Sequence, residues 1–349
     1  DATSVVSQQL SYWTRQLAGI PEQLDLPADR PRPSVASNRG AEYRFAWTAD
    51  QQQAIATLAA ENGATPFMIV HAALAVVLAR LSGTSDIAIG APIAGRGDAA
   101  LDDLVGMFVN TLVLRSEVDL GASFGDLLDQ VRKVDLSAFA NADVPFERLV
   151  DVLSPTRSQA HHPLFQVALT FEAATAADTG TVALPGLDLD VVDFDPGTAK
   201  FDVQLTVGEA ADGSLAMSWN YATDLFDAET VAAFADRRVR ILRGVAENPD
   251  VIVGDIDLLG EAEQRDVAQR WVSSGTDAIG LPVVHDATTP AGHRRGLFGN
   301  KHTTLVDLFD AAAVAYPDRI AAKFGVESLT YAELDRRANV LARRLIADG

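Results

Sequence analysis

The sequence contains no cysteine, which excludes disulfide bonds, thiol nucleophiles and thiolate metal sites. Basic residues are also scarce, because 28 Lys and Arg stand against 48 Asp and Glu and leave a net charge of −20. Proteins bind nucleic acids and anionic membranes through basic patches, so we expect neither as a main partner. With 48% apolar residues among 349, the chain can bury a large core, and its length predicts two domains.

Long apolar runs and a leader segment are missing as well. The most apolar stretch, residues 67–81, is too short to span a bilayer and contains His71 and Arg80. No signal peptide is recognisable, so a cytoplasmic location is expected. The chain starts at Asp1 rather than Met and stops at Gly349 inside a helical pattern, which leads us to expect a fragment of a longer protein.

Composition and charge change near residue 300. Residues 275–300 are rich in Gly, Pro, Thr and Ser and show little periodicity, which is typical of a linker. All of the excess negative charge lies before this point, since residues 301–349 hold seven basic and seven acidic side chains. We therefore predict a first domain over 1–260, a linker over 261–300 and a second domain beginning at 301.

The first domain mixes helical and strand patterns. Thr65 and Pro66 are typical of a helix start, and Gly83 of the end of that same apolar helix. Alternating apolar residues over 201–207 and 215–221, with Asp212 and Gly213 between them, predict a β-hairpin. The fold class indicated is α/β, with a mixed sheet covered by helices.

Histidine is the natural candidate for acid–base chemistry in this chain. His71 lies on the apolar helix and is interpreted as a core residue, with no partner visible in the sequence. His161 and His162 are adjacent, so in an extended segment they point to opposite faces and do not readily bind one metal ion. We expect His162 to orient the strand that follows. No phosphate loop, GxSxG or HExxH motif occurs, and no metal site is predicted.

Three segments carry a resemblance to a known family. Residues 105–112 read VGMFVNTL and lead to Arg115, residues 141–147 read NADVPFE, and residues 157–165 read RSQAHHPLF. In this order they resemble the VGxFVNT…R, (H/N)QD(V/Y)PFE and RDxSRNPLF motifs of nonribosomal peptide synthetase condensation domains. The resemblance covers residues 7–259. Shorter supporting pieces are GAP at 90–92, AGR at 94–96, KFD at 200–202 and TDLF at 223–226.

A second resemblance follows the linker. Residues 329–334 read LTYAEL, similar to the LTYxEL motif that opens adenylation domains of the same synthetases, and YPD at 316–318 precedes them. Condensation followed by adenylation is the usual order in a synthetase module. The resemblance therefore predicts the C-terminal lobe of a condensation domain at 1–260 and the first piece of an AMP-forming adenylation domain at 301–349.

The resemblance also implies where substrate is handled. Asn110, Gly106, Arg157 and His162 match motif positions expected to line or orient the substrate channel. The Asn110 amide could orient a substrate amine, although it could equally hold a turn. Gly106 would allow a close backbone approach. For Arg157, anchoring a carboxylate and a solvated surface role are both open.

Five further motif residues are expected to be structural: Phe108, Asp143, Pro145, Phe146 and Glu147. Phe108 and its neighbour Val109 are both core-type residues, which would occupy opposite faces of an extended segment. In NADVPFE, Asp143 is expected to cap a helix, Pro145 to occupy its first turn and Glu147 to complement the helix dipole. Phe146 completes the motif.

The sequence departs from the family pattern in two ways. Ala142 stands where the second motif has Gln, and the third motif differs at Ser158, Ala160, His161 and His162. The HHxxxDG motif, whose second histidine is the family's catalytic residue, does not occur in the 349 residues. No catalytic residue is therefore predicted in this chain, and we expect an N-terminal lobe to precede it.

The resemblance implies a chloramphenicol-acetyltransferase-like lobe and amide-bond formation between carrier-bound aminoacyl or peptidyl thioesters. Upstream and downstream peptidyl carrier proteins, the N-terminal lobe and the adenylation domain are the expected partners. No cofactor is expected to bind directly; 4′-phosphopantetheine would arrive on the carriers, and ATP and Mg²⁺ would serve only a complete adenylation domain. The alternatives are an epimerisation domain of the same fold, a free-standing acyltransferase of the same fold, which the LTYAEL segment disfavours, and a non-catalytic docking or scaffold piece.

Overall fold

The computed structural model describes residues 4–96, 101, 103–156, 158–172, 196–209, 215–260, 263–265, 309, 313–314, 316–324 and 327–347. The chain divides into two compact units, Asp1–Leu258 and Leu259–Gly349. The division lies beside the predicted end of the first domain at 260. Most of the predicted linker lies outside the described residues.

The first unit contains six helices and six strands among its described residues. The helices are α1 Val5–Gln16, α2 Ala49–Glu61, α3 Pro66–Ser82, α4 Phe124–Ala140, α5 Phe146–Leu153 and α6 Ala228–Glu247. The strands are β1 Gly40–Ala46, β2 Asp86–Ile93, β3 Asn110–Glu117, β4 Val167–Glu172, β5 Val203–Glu209 and β6 Leu215–Ala222.

The six strands form one mixed sheet in the order β1-β6-β5-β4-β2-β3. The pairs β2–β4 and β4–β5 are parallel, and the other neighbouring strands are antiparallel. The predicted α/β class is thus confirmed. The predicted hairpin is β5–β6, paired from Val203 with Tyr221 to Glu209 with Leu215; its expected turn at Asp212 and Gly213 lies outside the described residues.

The central helix α3 forms as its sequence predicts. The Thr65 side chain accepts the N–H of Met68, and Gly83 ends the helix in the left-handed conformation at a φ of 73°. Every residue from Met68 to Ala79 is buried, because α3 lies among α2, α4, α6 and the sheet. No single helix in the described part of the chain could cross a membrane by length and hydrophobicity; α2 and α3 meet that test only together, across a 101° bend.

Two apolar clusters hold the unit together. The larger joins α2, α3, α4 and α6 to the sheet. The smaller packs α1 and α5 against β2 and β3, with Trp13 and Phe165 among its buried side chains. This second cluster positions the motif residues, because α5 and the start of β3 both belong to it.

The second unit contains the hairpin β7 Ile320–Phe324 and β8 Glu327–Thr330, followed by α7 Tyr331–Ala347. The motif LTYAEL is the junction between β8 and α7. The Thr330 N–H donates to Glu333 Oε2 at 2.9 Å, and the Glu333 N–H donates to Thr330 Oγ1 at 3.3 Å. These reciprocal bonds are a capping box, and the bond from the Thr330 N–H is the main cause that lowers the pKa of Glu333.

Candidate functional site

Asn110 is the first residue of β3, and backbone groups occupy all of its hydrogen-bonding positions. Nδ2 donates to the carbonyl oxygens of Ala142 and Val144, each at 2.9 Å. Oδ1 accepts the N–H of Thr111 at 2.9 Å and that of Phe146 at 3.0 Å. One side chain therefore fixes the 142–146 turn and provides a hydrogen-bond acceptor for the first N–H of α5.

The sequence leaves two roles open for Asn110, and these contacts support the turn-holding role. A substrate amine could bind the Asn110 amide only if one of the four bonds to the backbone were broken. The substrate-orienting role stays a prediction. In either role, Asn110 joins two family motifs, VGMFVNTL and NADVPFE, that are far apart in the sequence.

The prediction that Asp143 caps α5 is wrong. The residue before the helix is Pro145, which is extended at a ψ of 141° and makes no side-chain cap. Asp143 instead accepts a bond from Gln9 Nε2 at 2.8 Å, and its own N–H donates to Gln9 Oε1 at 3.0 Å. Its carboxylate therefore binds α1 rather than α5. Glu147 does lie in the first turn of α5, as predicted.

The loop before β3 also differs from its prediction. The close backbone approach occurs at Gly95, where a Cβ would lie 1.8 Å from the Phe108 carbonyl oxygen and φ is +65°. At Gly106 the nearest atoms that a Cβ would meet belong to the Phe108 ring, the first of them at 3.2 Å. Gly95, rather than Gly106, is therefore the position that requires glycine for a close backbone approach.

Arg96 holds this loop against the start of β3. Its guanidinium lies 4.3 Å from the centre of the Phe108 ring, and it donates to the carbonyls of Leu101 and, at 2.9 Å, Leu104. Phe108 is half-buried, whereas Val109 is 53% exposed. The expectation that Val109 packs in the core is thus wrong, because β3 begins only at Asn110 and the preceding residues form a loop.

His162 lies among aromatic rings at the start of β4. Its ring stacks on Phe146 at 5.4 Å and approaches Phe165 at 4.5 Å and Phe201 at 5.0 Å between centroids. Nδ1 is 2.9 Å from the Pro163 carbonyl, which can only accept, so this nitrogen carries the proton. Burial lowers the pKa of His162. These contacts support the interpretation that His162 orients the strand.

A cleft of about 250 Å³ opens beside His162. Arg32 and Asp202 lie in its wall, with Nη1 2.8 Å from Oδ1 and a second bond from Nη2 to Oδ2. This paired bond is the main cause that raises the pKa of Arg32. Asp224, on the same cleft, accepts the N–H and the hydroxyl of Ser37, each at 2.8 Å. The cleft thus collects residues of the HHPLF, KFD and TDLF segments. Arg157 lies outside the described residues.

Arg115 is the last residue of the first motif, and its hydrogen bonds connect separate elements of the fold. Its guanidinium binds both carboxylate oxygens of Asp86, at 2.8 and 2.7 Å. Nη1 also donates to the carbonyls of Gln16 at 3.0 Å and Ala18 at 2.8 Å. Arg115 therefore ties the end of α1 to the antiparallel pair β2–β3.

One buried pair, formed by His71 and Asp135, was not predicted from the sequence. His71 Nδ1 lies 2.9 Å from Asp135 Oδ1, and both side chains are fully buried. The core interpretation of His71 is confirmed, but it does have a partner. The sequence did contain a signal for this pair. Asp135 is an acidic residue on the same face of α4 as Val131 and Ala138, and this face is buried, where an acidic side chain needs a partner. The His71 Nε2 and Asp135 Oδ2 atoms have no partner within the described ranges.

The family follows from this sequence and geometry together. A family model described as a condensation domain matches residues 3–268. The chain belongs to the condensation-domain family. The assignment agrees with the motifs that meet at Asn110 and at the cleft.

Relatives of this condensation-domain chain are found in large synthetases. It is 39% identical over 354 residues to a dimodular nonribosomal peptide synthase of Bacillus subtilis, covering 100% of this chain and 14% of that protein. It is 42% identical over 350 residues to a probable non-canonical nonribosomal peptide synthetase, CymA, of Salinispora arenicola, covering 100% and 4%. The chain thus spans only a small part of the length of these relatives.

Solved structures agree on the fold. The X-domain from teicoplanin biosynthesis matches with a TM-score of 0.69 and 29% identity, over 74% of this chain and 58% of that one. A four-domain nonribosomal peptide synthetase bound to AMP and glycine matches with a TM-score of 0.70 and 20% identity, over 100% of this chain and 26% of that one. The second likeness shows the fold alone.

Proposed function

We propose that this chain works within a nonribosomal peptide synthetase, where its condensation-domain part takes part in amide-bond formation between carrier-bound thioesters. The observation that supports the proposal most is the condensation-domain match over residues 3–268. In the reaction, the amine of one aminoacyl group attacks the thioester carbonyl of another. A C–N bond forms, the C–S bond breaks, and the carrier thiol leaves with a proton from the amine.

The residues of this chain contribute positioning rather than proton transfer. No HHxxxDG motif occurs in the sequence, so no side chain here is assigned to the proton. Asn110, through its four backbone bonds, fixes the turn that starts α5. Holding reactants within a fraction of an ångström affects rate strongly, because a displacement of 1 Å can cost roughly 100-fold. Asn110, Gly106, Arg157 and His162 are proposed to form or support one wall of the substrate channel.

The partners follow from the proposed reaction. Peptidyl carrier proteins would deliver both substrates on 4′-phosphopantetheine, and the N-terminal lobe would supply the catalytic histidine. The negative charge of the chain, −20, agrees with partners other than nucleic acid. A cytoplasmic location is part of the same proposal.

We also propose that the second unit begins an adenylation domain. The likeness to the Bacillus subtilis synthase extends over 100% of the chain, beyond the condensation match that ends at 268. The LTYAEL motif forms a capped strand-to-helix junction, which is a physical reason for Thr330 and Glu333 at that spacing. ATP and Mg²⁺ would be needed only by the complete adenylation domain.

The proposal is tested by reconstituting peptide formation. The parent synthetase, or this chain supplied with the expected N-terminal lobe, is mixed with loaded donor and acceptor carriers, and the acceptor is analysed by mass spectrometry. We expect a dipeptidyl acceptor from the complete domain and none from the 349 residues alone. Peptide formation by the 349 residues alone would contradict the proposed division of roles.

The same experiment separates the alternatives. An epimerisation domain would invert a carrier-bound residue without forming a new amide bond, so chiral analysis of the donor would reveal it. A docking or scaffold piece would bind carriers and support neither reaction. Pyrophosphate exchange with ATP and amino acids tests the second unit, and none is expected from the chain alone.

A further inference from the structure

Arg238 is fully buried in the helical layer of the first unit. Its relative exposure is 0%, and it lies on the buried face of α6 together with Phe234, Ile241 and Leu242. The spacing of this face predicts an apolar residue at 238. A charged group at the centre of such a face is costly unless something neutralises it.

The described residues neutralise Arg238 poorly. Among them, its hydrogen-bond partner is the Met217 sulfur, which accepts from Nη1 at 3.0 Å, and the guanidinium carbon lies 5.3 Å from the centre of the Trp47 ring. No carboxylate among the described residues forms an ion pair with it. Desolvation lowers the pKa of Arg238 to about 9, which leaves the side chain charged at neutral pH.

Three N–H groups at this position lack partners. Arg238 Nε and Nη2 and Trp47 Nε1 are buried and have no hydrogen-bond partner in the described part of the chain. The strand register places Trp47 beside Met217, because β1 pairs Phe45 with Met217, and the backbone N–H of Trp47 donates to the carbonyl of Leu215, two residues before Met217 on β6. Buried polar atoms without protein partners call for a bound water or ion.

The chemistry of these groups selects the ligand. Every group in this set is an N–H donor and one of them is a cation, so the set lacks an acceptor and a negative charge. A water molecule supplies an acceptor but no charge. We propose that Arg238, with the indole N–H group of Trp47, forms a buried binding site for a small monovalent anion such as chloride.

Bromide gives a direct test. Crystals of the 349-residue chain are grown with sodium bromide, and anomalous data are collected at the bromine absorption edge. We expect an anomalous peak within hydrogen-bonding distance of Arg238. A map at Arg238 that shows only water, or a direct bond from the guanidinium to Gln52 Oε1, would overturn the proposal. Gln52 Oε1 is a buried acceptor on α2 that has no partner among the described residues.

Stability gives a second test that does not depend on crystals. Thermal unfolding is compared in sodium chloride and sodium gluconate at one ionic strength, since gluconate is too large for the site. We expect chloride to raise the wild-type Tm by roughly 2–4 °C. Arg238→Met should remove this difference, because methionine is unbranched, uncharged and of similar length.

The matched control is Arg243→Met, which removes an exposed arginine from the same helix. It should keep the full chloride effect. An equal chloride effect in wild type and Arg238→Met, or its loss in Arg243→Met, would show that the anion acts on general surface charge. If Arg238→Met did not fold, the bromide map of the wild-type protein would still decide the matter.

Discussion

Asn110 and Arg238 are two polar side chains of one fold that differ in how completely their hydrogen-bonding positions are satisfied. Asn110 has each of its hydrogen-bonding positions matched by a backbone group. Arg238 is more deeply buried, yet its hydrogen-bond partner within the described ranges is one sulfur atom, that of Met217. His71 and Asp135 lie between these extremes, since one bond is made and one nitrogen and one oxygen lack partners within the described ranges.

The difference teaches how a substitution should be judged. Removing a fully paired polar residue leaves orphaned groups behind, each costing about 1–3 kcal/mol when buried. Replacing a poorly paired buried charge by an apolar side chain of similar volume is often neutral or stabilising. Burial alone therefore does not give the sign of the effect, and the number of satisfied bonds must be known.

The largest effect is expected at the buried His71–Asp135 pair. Asp135→Ala leaves His71 without its partner inside the core, and we expect a loss of about 3–5 kcal/mol in unfolding free energy. Urea denaturation monitored by tryptophan fluorescence measures it. The double variant His71→Leu with Asp135→Leu should recover much of this loss; equal losses in the single and double variants would contradict the role of the pair.

The next largest effect is expected at Asn110. Asn110→Ala leaves the carbonyls of Ala142 and Val144 and the N–H of Phe146 without their partner, and we expect a loss of about 2–3 kcal/mol. Asn141→Ala is the matched control, because its half-buried side chain makes one bond among the described residues, to the Ser137 carbonyl, and it should cost less than about 0.5 kcal/mol. Unchanged stability of Asn110→Ala together with slower peptide formation would instead favour the substrate-orienting role.

A smaller effect of opposite sign is expected at Arg238. Arg238→Met removes a buried charge that has no counterion among the described residues, so the unfolding free energy measured in gluconate should be unchanged or raised by up to about 2 kcal/mol. A loss of several kcal/mol in gluconate would mean that a protein group satisfies the guanidinium, and would remove the contrast with Asn110.

The smallest effect is a pH dependence at His162. Burial lowers its folded-state pKa, so the unfolded state takes up a proton first as the pH falls through about 6.5. Stability should therefore be complete above this pH and decline below it. His162→Phe, which keeps an aromatic ring beside Phe146 and Phe165, should flatten the decline between neutral and mildly acidic pH. An unchanged profile would show that other groups cause it.

Several predictions from the sequence were confirmed because they depend on neighbouring residues. Thr65, Pro66 and Gly83 set the limits of α3 through caps that act within one turn. The alternation over 203–207 and 215–221 gave the paired strands β5 and β6. The family motifs were also readable, since each is a short continuous segment.

The errors share a different cause. Asp143 was expected to cap α5 because it lies at the usual spacing, yet Gln9 binds it and Asn110 takes its place. Gly106 was expected at a close approach that occurs at Gly95. Both of these errors concern a partner brought in from another part of the fold, which no local pattern contains, whereas the error at Val109 concerns where β3 begins.

The sequence by itself determined the element types, the α/β class and the family, because caps, periodicity and motifs are local. Only the tertiary structure decided which polar groups meet. Asn110 reaches Val144 across 34 residues, and His71 reaches Asp135 across 64. It also decided that, among the described residues, Arg238 meets a sulfur atom and one indole ring rather than a carboxylate. Hydrogen bonds depend on distances of a few tenths of an ångström, and packing of the whole core sets those distances.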